Sequence, residues 1–465
     1  MAPCRRIAPP TPCECHEDVG LNSQSAGNSA DIASLIQQAQ ESTRQGAWSQ
    51  AATLYHRILE SSPDNVEALG FLGIQALSAG EFERSAAYFE RALQQHPDDA
   101  SLYKNLGLAL RARGAFTEAL AAFDQALRRK QEFPVALLHK GAILEHLGRQ
   151  DEAVSAYVRA LAQAEQFGLL LHSATLPDSV RNLLNRALHS AQQAREHWLA
   201  RALAPVRKRY GSEALRRVDR CLAIHHGREP KIQMHPRQHP TLMTFPDIPA
   251  HGWHEHDAFP WMAELERHTD AIRTELLEVL HDDAGFRPFV EIPKDHPGAD
   301  YWRAVNQSPS WNAFFFFRDG KRFEENHRRC PATSAVLDSL PLIRVAEHSP
   351  EVFFSVLKPD THIPVHTGVI NCRLVAHLPL IIPPACGITV GGETRSWREG
   401  ECMVFDDTFE HEAWNRSDRT RVVLIFDIWN PYLTVAEQAA MRVVVEELGH
   451  FNEAHGLKGQ IYASS

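Results

Sequence analysis

The sequence predicts an α+β chain in two parts. An all-α superhelix of repeated helix pairs comes first, and a domain of short strands closed into a β-sandwich or barrel follows. Three observations carry this expectation: a 34-residue period in the first third of the chain, a shift in composition near residue 229, and a series of short strand-like runs with turn signals beyond residue 300. The expected divisions are a flexible leader at 1–30, a repeat array at 31–167, a helical linker at 168–228, a second domain at 229–450 and a tail at 451–465.

The repeat array rests on columns in register. Gly46, Gly80, Gly114 and Gly148 recur every 34 residues, as do Tyr55, Phe89, Phe123 and Tyr157. Ala51, Ser85, Ala119 and Ala153 keep the same step, and Gly73, Gly107 and Gly141 form a further column. Two antiparallel helices per unit explain these residues. Glycine ends the first helix, a small residue lets the second approach, and an aromatic is expected to fill the gap between neighbouring units. Over four units this resembles the tetratricopeptide repeat, which implies a stacked superhelix whose concave face binds a protein or peptide.

Helical spacing continues through Leu183, Leu184, Ala187, Leu188 and Ala191. Pro and His then crowd the segment from Met234-His-Pro-Arg-Gln-His-Pro240 to His251-Gly-Trp-His-Glu-His256, which opens the second domain. One helix is expected at about 260–281 and a last one at about 435–448. Between them lie the strand candidates: Trp311 to Phe317 with an Arg318-Asp-Gly-Lys321 turn, Glu351 to Lys358, Asn371 to Ile382, Gly387 to Val390, Glu401 to Phe405, and Thr420 to Trp429.

Composition narrows the setting. The 465 residues are 44% hydrophobic and 23% charged, ordinary for a globular protein. A net charge of −10 argues against nucleic acid or an anionic membrane as a partner. No apolar run approaches the roughly 20 residues of a membrane span. The N-terminus lacks a signal-peptide core, and eight scattered cysteines make no disulfide framework, so a reducing, cytoplasmic location is expected. Cys13-Glu-Cys15-His16 offers only three close ligands and reads as part of the leader. His251, His254 and His256 read as surface histidines.

The chemistry concentrates between Ser355 and Trp429. His366 and His411 stand 45 positions apart, and Arg421 follows ten positions later. Ferrous iron binds imidazole well, and the co-substrate of an iron oxygenase needs a fixed, always-charged fork for its far carboxylate. Arg421 opens an alternating strand, so its guanidinium shares a side with Val423 and Ile425. Asp406 and Asp407 are read as strand-end and turn hydrogen-bonding groups near His411, with a water-mediated role at a metal left open.

These residues, with Pro359-Asp-Thr-His362, His366-Thr-Gly368, Asn371-Cys-Arg-Leu374, Phe405-Asp-Asp407, Phe409-Glu-His-Glu412 and Asp427-Ile-Trp429-Asn-Pro431, resemble the aspartyl/asparaginyl β-hydroxylase family. The resemblance implies a double-stranded β-helix (cupin-like) dioxygenase that uses Fe(II), 2-oxoglutarate and O2. It implies iron held by His366 and His411 alone, because Gly368 stands where related enzymes carry a carboxylate. It implies Arg421 and Ser355 on the distal carboxylate of 2-oxoglutarate, and Arg373 and His377 at its other end. The implied reaction is β-hydroxylation of Asp or Asn in a protein or peptide substrate, brought in by the repeats. Two rivals stand beside it. One is an enzyme hydroxylating acyl chains like those of lipid A; the other is a non-catalytic adaptor with a relic oxygenase fold.

Overall fold

The computed structural model describes residues 23–168, 176–293 and 298–457. The leader up to residue 22, with its Cys13–His16 cluster, and residues 458–465 of the tail lie outside the described residues. The chain divides into two compact units, Met1–Ala187 and Leu188–Ser465.

The first unit is built from four helix pairs: α1 (Ser23–Arg44) with α2 (Trp48–Ser61), α3 (Val66–Ser78) with α4 (Phe82–Gln95), α5 (Ala100–Arg113) with α6 (Phe116–Arg129), and α7 (Pro134–His146) with α8 (Gln150–Gln166). Asn65 and Asp99 cap the starts of α3 and α5 by accepting backbone N–H bonds. Gly114 ends α5 at φ 84°, a left-handed conformation open to glycine at little cost. The aromatic column packs between neighbouring units, Tyr55 against Phe71 and Phe123 against His139, and also within them. Phe89, Phe123 and Tyr157 close the gap within each pair, lying directly over Gly73, Gly107 and Gly141 of the partner helix. A residue without Cβ leaves a ring-sized space opposite it, and the ring takes that space.

Helix α9 (Asp178–Tyr210) follows the pairs. Its later turns and α10 (Arg216–His225) bury Leu199, Leu203, Val218 and Cys221 against Phe245, Ile370 and Met441 of the second unit. Two short helices follow, α11 (Met262–Arg267) and α12 (Thr269–Asp282), where the sequence suggested one continuous helix. Helices α13 (Glu324–Arg329) and α14 (Pro331–Ser339) were not anticipated; α15 (Val435–Ala454) opens on a Thr434–Glu437 capping box and runs longer than expected.

The strands are β1 (Trp253–His254), β2 (Phe286–Pro288), β3 (Trp311–Arg318), β4 (Lys321–Arg322), β5 (Val352–Leu357), β6 (Thr361–His366), β7 (Arg373–Ile381), β8 (Cys386–Val390), β9 (Glu393–Arg395), β10 (Met403–Phe405), β11 (His411–Asn415) and β12 (Arg421–Trp429). They form two antiparallel sheets. The larger runs β1-β10-β7-β12-β5-β3-β2, with β4 beside β3, and the smaller runs β6-β11-β8-β9. Alternation along β12 assigns the layers. Val422, Leu424 and Phe426 pack with Phe314, Phe354, Ile272, Leu276 and Leu337 beneath the helices. Val423 packs with Trp311, Ile363, Ile388 and Trp397 between the sheets. The Asp319–Gly320 turn, both residues at positive φ, joins β3 to β4 as the sequence suggested. His254 departs from the surface expectation: it is buried in β1 against Phe259. Cys221, Cys330, Cys372, Cys386 and Cys402 are free thiols.

Candidate active site

Antiparallel pairing of β6 with β11 sets His366 directly opposite His411. The two imidazole centroids lie 4.0 Å apart. Each ring is fixed in the same way, two residues beyond the carbonyl it binds. His366 Nδ1 lies 2.8 Å from the Pro364 oxygen, and His411 Nδ1 lies 2.9 Å from the Phe409 oxygen. A carbonyl only accepts, so both Nδ1 atoms carry the proton and both Nε2 atoms keep a lone pair. Burial lowers the pKa of His366 to about 3 and of His411 to about 4, so both rings are neutral.

Gly368 and Asp407 are fitted to each other beside this pair. Gly368 donates its backbone N–H to the Asp407 carbonyl at 2.6 Å, and the Asp407 carboxylate occupies the space over the Gly368 Cα. That carboxylate is ion-paired with Arg373, whose guanidinium also reaches Asp427 at 3.5 Å, and its Oδ1 is buried without a hydrogen bond. Asp406 accepts bonds from Gln238 and Thr408. Among the described residues no group of three or more His, Cys, Asp or Glu side chains is arranged to hold a metal. The two Nε2 lone pairs are donors of the kind a divalent transition-metal ion binds.

At the far end of the cavity lies Arg421, 1% exposed and the first residue of β12. Its Nη1 donates to the Ser355 hydroxyl at 3.2 Å and to the Ser355 carbonyl at 3.3 Å. Trp311 Nε1 donates to the same hydroxyl at 3.1 Å, so Ser355 accepts twice and its own O–H remains to donate. The guanidinium lies over the Trp397 ring at 4.7 Å. Its Nε has no partner, and no carboxylate among the described residues pairs with it. Burial brings its pKa down to about 10, which still leaves it a cation. Trp397 also donates to His377 Nδ1 at 3.2 Å, which places the His377 proton on Nε2.

One cavity of about 150 Å³ collects His366, His411, Arg421, Ser355, Arg373 and His377, all six residues singled out in the sequence. Arg373 differs from the other five in being held by two carboxylates. Trp311 and Glu351 also line the cavity, and Trp397 stands against Arg421. Trp311 and Trp397 cradle Arg421 and Ser355, and the Glu351 carboxyl accepts from the Asp319 N–H at 2.8 Å, its pKa raised by burial to about 8. Trp311 is legible in the sequence first as part of a buried strand, and nothing in the local sequence marks Glu351.

A family model described as aspartyl/asparaginyl beta-hydroxylase matches residues 266–431, and a tetratricopeptide repeat model matches residues 36–100, 72–132 and 104–167. The chain is 36% identical over 176 residues to an ornithine lipid ester-linked acyl 2-hydroxylase of Rhizobium tropici, covering 37% of this chain and 58% of that protein. It is 32% identical over 181 residues to a human aspartyl/asparaginyl beta-hydroxylase, covering 39% of this chain and 22% of that one. It is 31% identical over 253 residues to mouse aspartate beta-hydroxylase domain-containing protein 1, covering 54% of this chain and 68% of that one. The chain thus spans 58% and 22% of the first two relatives' own lengths. Taken with the paired histidines, the Gly368–Asp407 fit and the sheet order, these matches show that the chain belongs to the aspartyl/asparaginyl β-hydroxylase family and carries tetratricopeptide repeats at its N-terminal side.

Proposed function

We propose that the second unit is an Fe(II)- and 2-oxoglutarate-dependent dioxygenase that hydroxylates a C–H bond. The observation that carries this reading is Arg421. A guanidinium removed from water with no counter-charge is costly, and it lies in the same cavity as two neutral histidines whose lone pairs face inward. A small molecule with a carboxylate at one end and metal-binding oxygens at the other satisfies both ends at once.

His366 and His411 would hold the iron through Nε2, and the bound iron supplies oxygen activation. The protein's own residues do the remainder. Arg421 and the Ser355 hydroxyl bind the distal carboxylate, with Trp311 and Trp397 keeping both in place. His377 offers its Nε2–H, and Arg373 a guanidinium shared with Asp407 and Asp427, toward the inner end. Buried Phe405, Ile363 and Ile388 line the walls and exclude water. In the reaction, 2-oxoglutarate and O2 yield succinate and CO2, and one oxygen atom enters the substrate C–H bond. The family supports the β-carbon of Asp or Asn as the target, in a protein or peptide recruited by the repeats.

A second reading is hydroxylation of a lipid acyl chain, favoured by the likeness to the Rhizobium tropici acyl 2-hydroxylase. No helix among the described residues is long and apolar enough to cross a membrane, and a repeat array suits a peptide better than a lipid.

The test is succinate formation after anaerobic iron(II) loading and admission of oxygen, in wild type, His411→Ala and Arg421→Ala. Turnover in wild type that both substitutions abolish is expected. Failure of wild type to bind either iron or 2-oxoglutarate would overturn the reading in favour of a non-catalytic adaptor.

A further inference from the structure

The first helices of the repeats, α3, α5 and α7, touch one another across successive units more closely than the second helices do, so they line the inner curve of the array. On α5, Lys104, Leu108 and Arg111 follow the i, i+4, i+7 spacing of a single helix face. Lys104 and Arg111 are both partly buried, and neither side chain makes a hydrogen bond or ion pair with any described residue. On α7, 34 residues after Asn105, stands His139. It is 6% exposed, its ring is stacked on Phe123, and its Nδ1 has no partner.

No acid among the described residues answers these groups. Glu145 on α7 accepts from the Tyr157 hydroxyl and from Arg186 Nε, each at 2.7 Å. Asp124 is paired with Lys140. Desolvation and the neighbouring Arg111 and Lys104 lower the pKa of His139 to about 3, so the buried ring is neutral and can accept or donate a hydrogen bond. Beside the cations runs an apolar column. Ile74 on α3, 51% exposed, and Leu108 on α5 stand 34 residues apart at equivalent positions. A chain of net charge −10 has here concentrated unanswered positive charge on a half-buried face with apolar side chains alongside.

We propose that this inner face, centred on Lys104, Arg111 and His139, binds an acidic peptide segment, with carboxylates on the two cations and an apolar side chain on Ile74 and Leu108. The proposal rests on the reading that the repeats recruit the substrate, and it states that substrate's chemistry: Asp- and Glu-rich, interrupted by apolar residues. The groups are already desolvated and unpaired, so an incoming carboxylate gains a charge pair at a reduced desolvation cost.

The experiment uses the full chain and three labelled peptides of equal length and matched apolar positions, differing only in having Asp/Glu, Asn/Gln or Lys at the polar positions. Fluorescence anisotropy is recorded at low and at about 0.5 M salt. The acidic peptide is expected to bind, to weaken with salt, and to lose about 30-fold or more in affinity in the Lys104→Gln/Arg111→Gln pair. In the Lys104→Glu/Arg111→Glu pair the preference should pass to the Lys peptide. Arg128→Glu, on a second helix, should change nothing, and circular dichroism checks that each variant is folded. Equal binding of the uncharged or basic peptide to wild type, or full affinity in the Gln pair, overturns the acidic specificity. Absence of binding by all three peptides overturns the recruiting role itself, a result distinct from any loss of succinate formation in the second unit.

Discussion

The carboxylate of Asp407 lies where a side chain at Gly368 would begin: a Cβ on Gly368 would stand 2.2 Å from Asp407 Cγ and 2.3 Å from both carboxylate oxygens. A carboxylate two residues beyond His366 is therefore excluded by packing. Gly368→Ala is expected to cost about 1–3 kcal/mol of stability, the usual range for overpacking, and to loosen the Arg373–Asp407 pair. Combining it with Asp407→Gly should recover part of that loss. A double-mutant cycle in urea measures the coupling, and strictly additive losses would contradict the steric account.

Arg421 should show opposite effects on stability and on binding. Arg421→Met removes a buried cation without a counter-charge, so the protein free of co-substrate is expected to be as stable as wild type or more so. The same change should abolish the rise in Tm that 2-oxoglutarate gives wild type. Thermal unfolding with and without 2-oxoglutarate checks both halves.

Within the repeats, Gly141 is the tightest position. A Cβ there would stand 2.5 Å from Tyr157 ring carbons, against 2.9 Å between Gly107 and Phe123. Gly141→Ala is expected to cost about 1–3 kcal/mol and to exceed Gly107→Ala, with Tyr157→Leu recovering part of the loss. Equilibrium urea unfolding of the three variants decides.

Glu351 predicts a pH dependence. Burial raises its pKa from 4.5 to about 8, so the folded state holds this proton more tightly than the unfolded chain. Its burden on stability is absent below about pH 4.5 and grows as pH rises toward about 8. Glu351→Gln keeps an acceptor for the Asp319 N–H and carries no charge. Wild type should therefore lose stability relative to Glu351→Gln across that interval, by at most a few kcal/mol. Unfolding curves at three pH values test it, and a pH-independent difference would show that the carboxyl is not desolvated as described.

Much of this protein was legible because its signals are local. The 34-residue columns are set by helix pairs packing within a unit, and the glycine–aromatic spacing reports that packing directly. The direction of Arg421 followed from strand alternation, and β12 keeps it, with Arg421 and Ile425 facing the cavity and Val422 and Leu424 facing the helices. Helices α13 and α14 went unseen because Glu324 to Ser339 is short and its apolar pattern only makes sense against Phe316 and α12.

By itself the sequence determined the repeat architecture, the β-rich second unit, the family and six residues of the cavity. Each of these depends on residue type at a fixed spacing along the chain. Only the tertiary structure decided that Asp407 excludes a side chain at Gly368, that Arg373 is shared between two carboxylates, and that Trp311 and Trp397 cradle Arg421 and Ser355. Only it left Lys104, Arg111 and His139 without an answering acid among the described residues. These relationships join residues far apart in the chain. They arise from which strands and helices become neighbours, a choice made by burial of whole apolar faces that no single segment encodes.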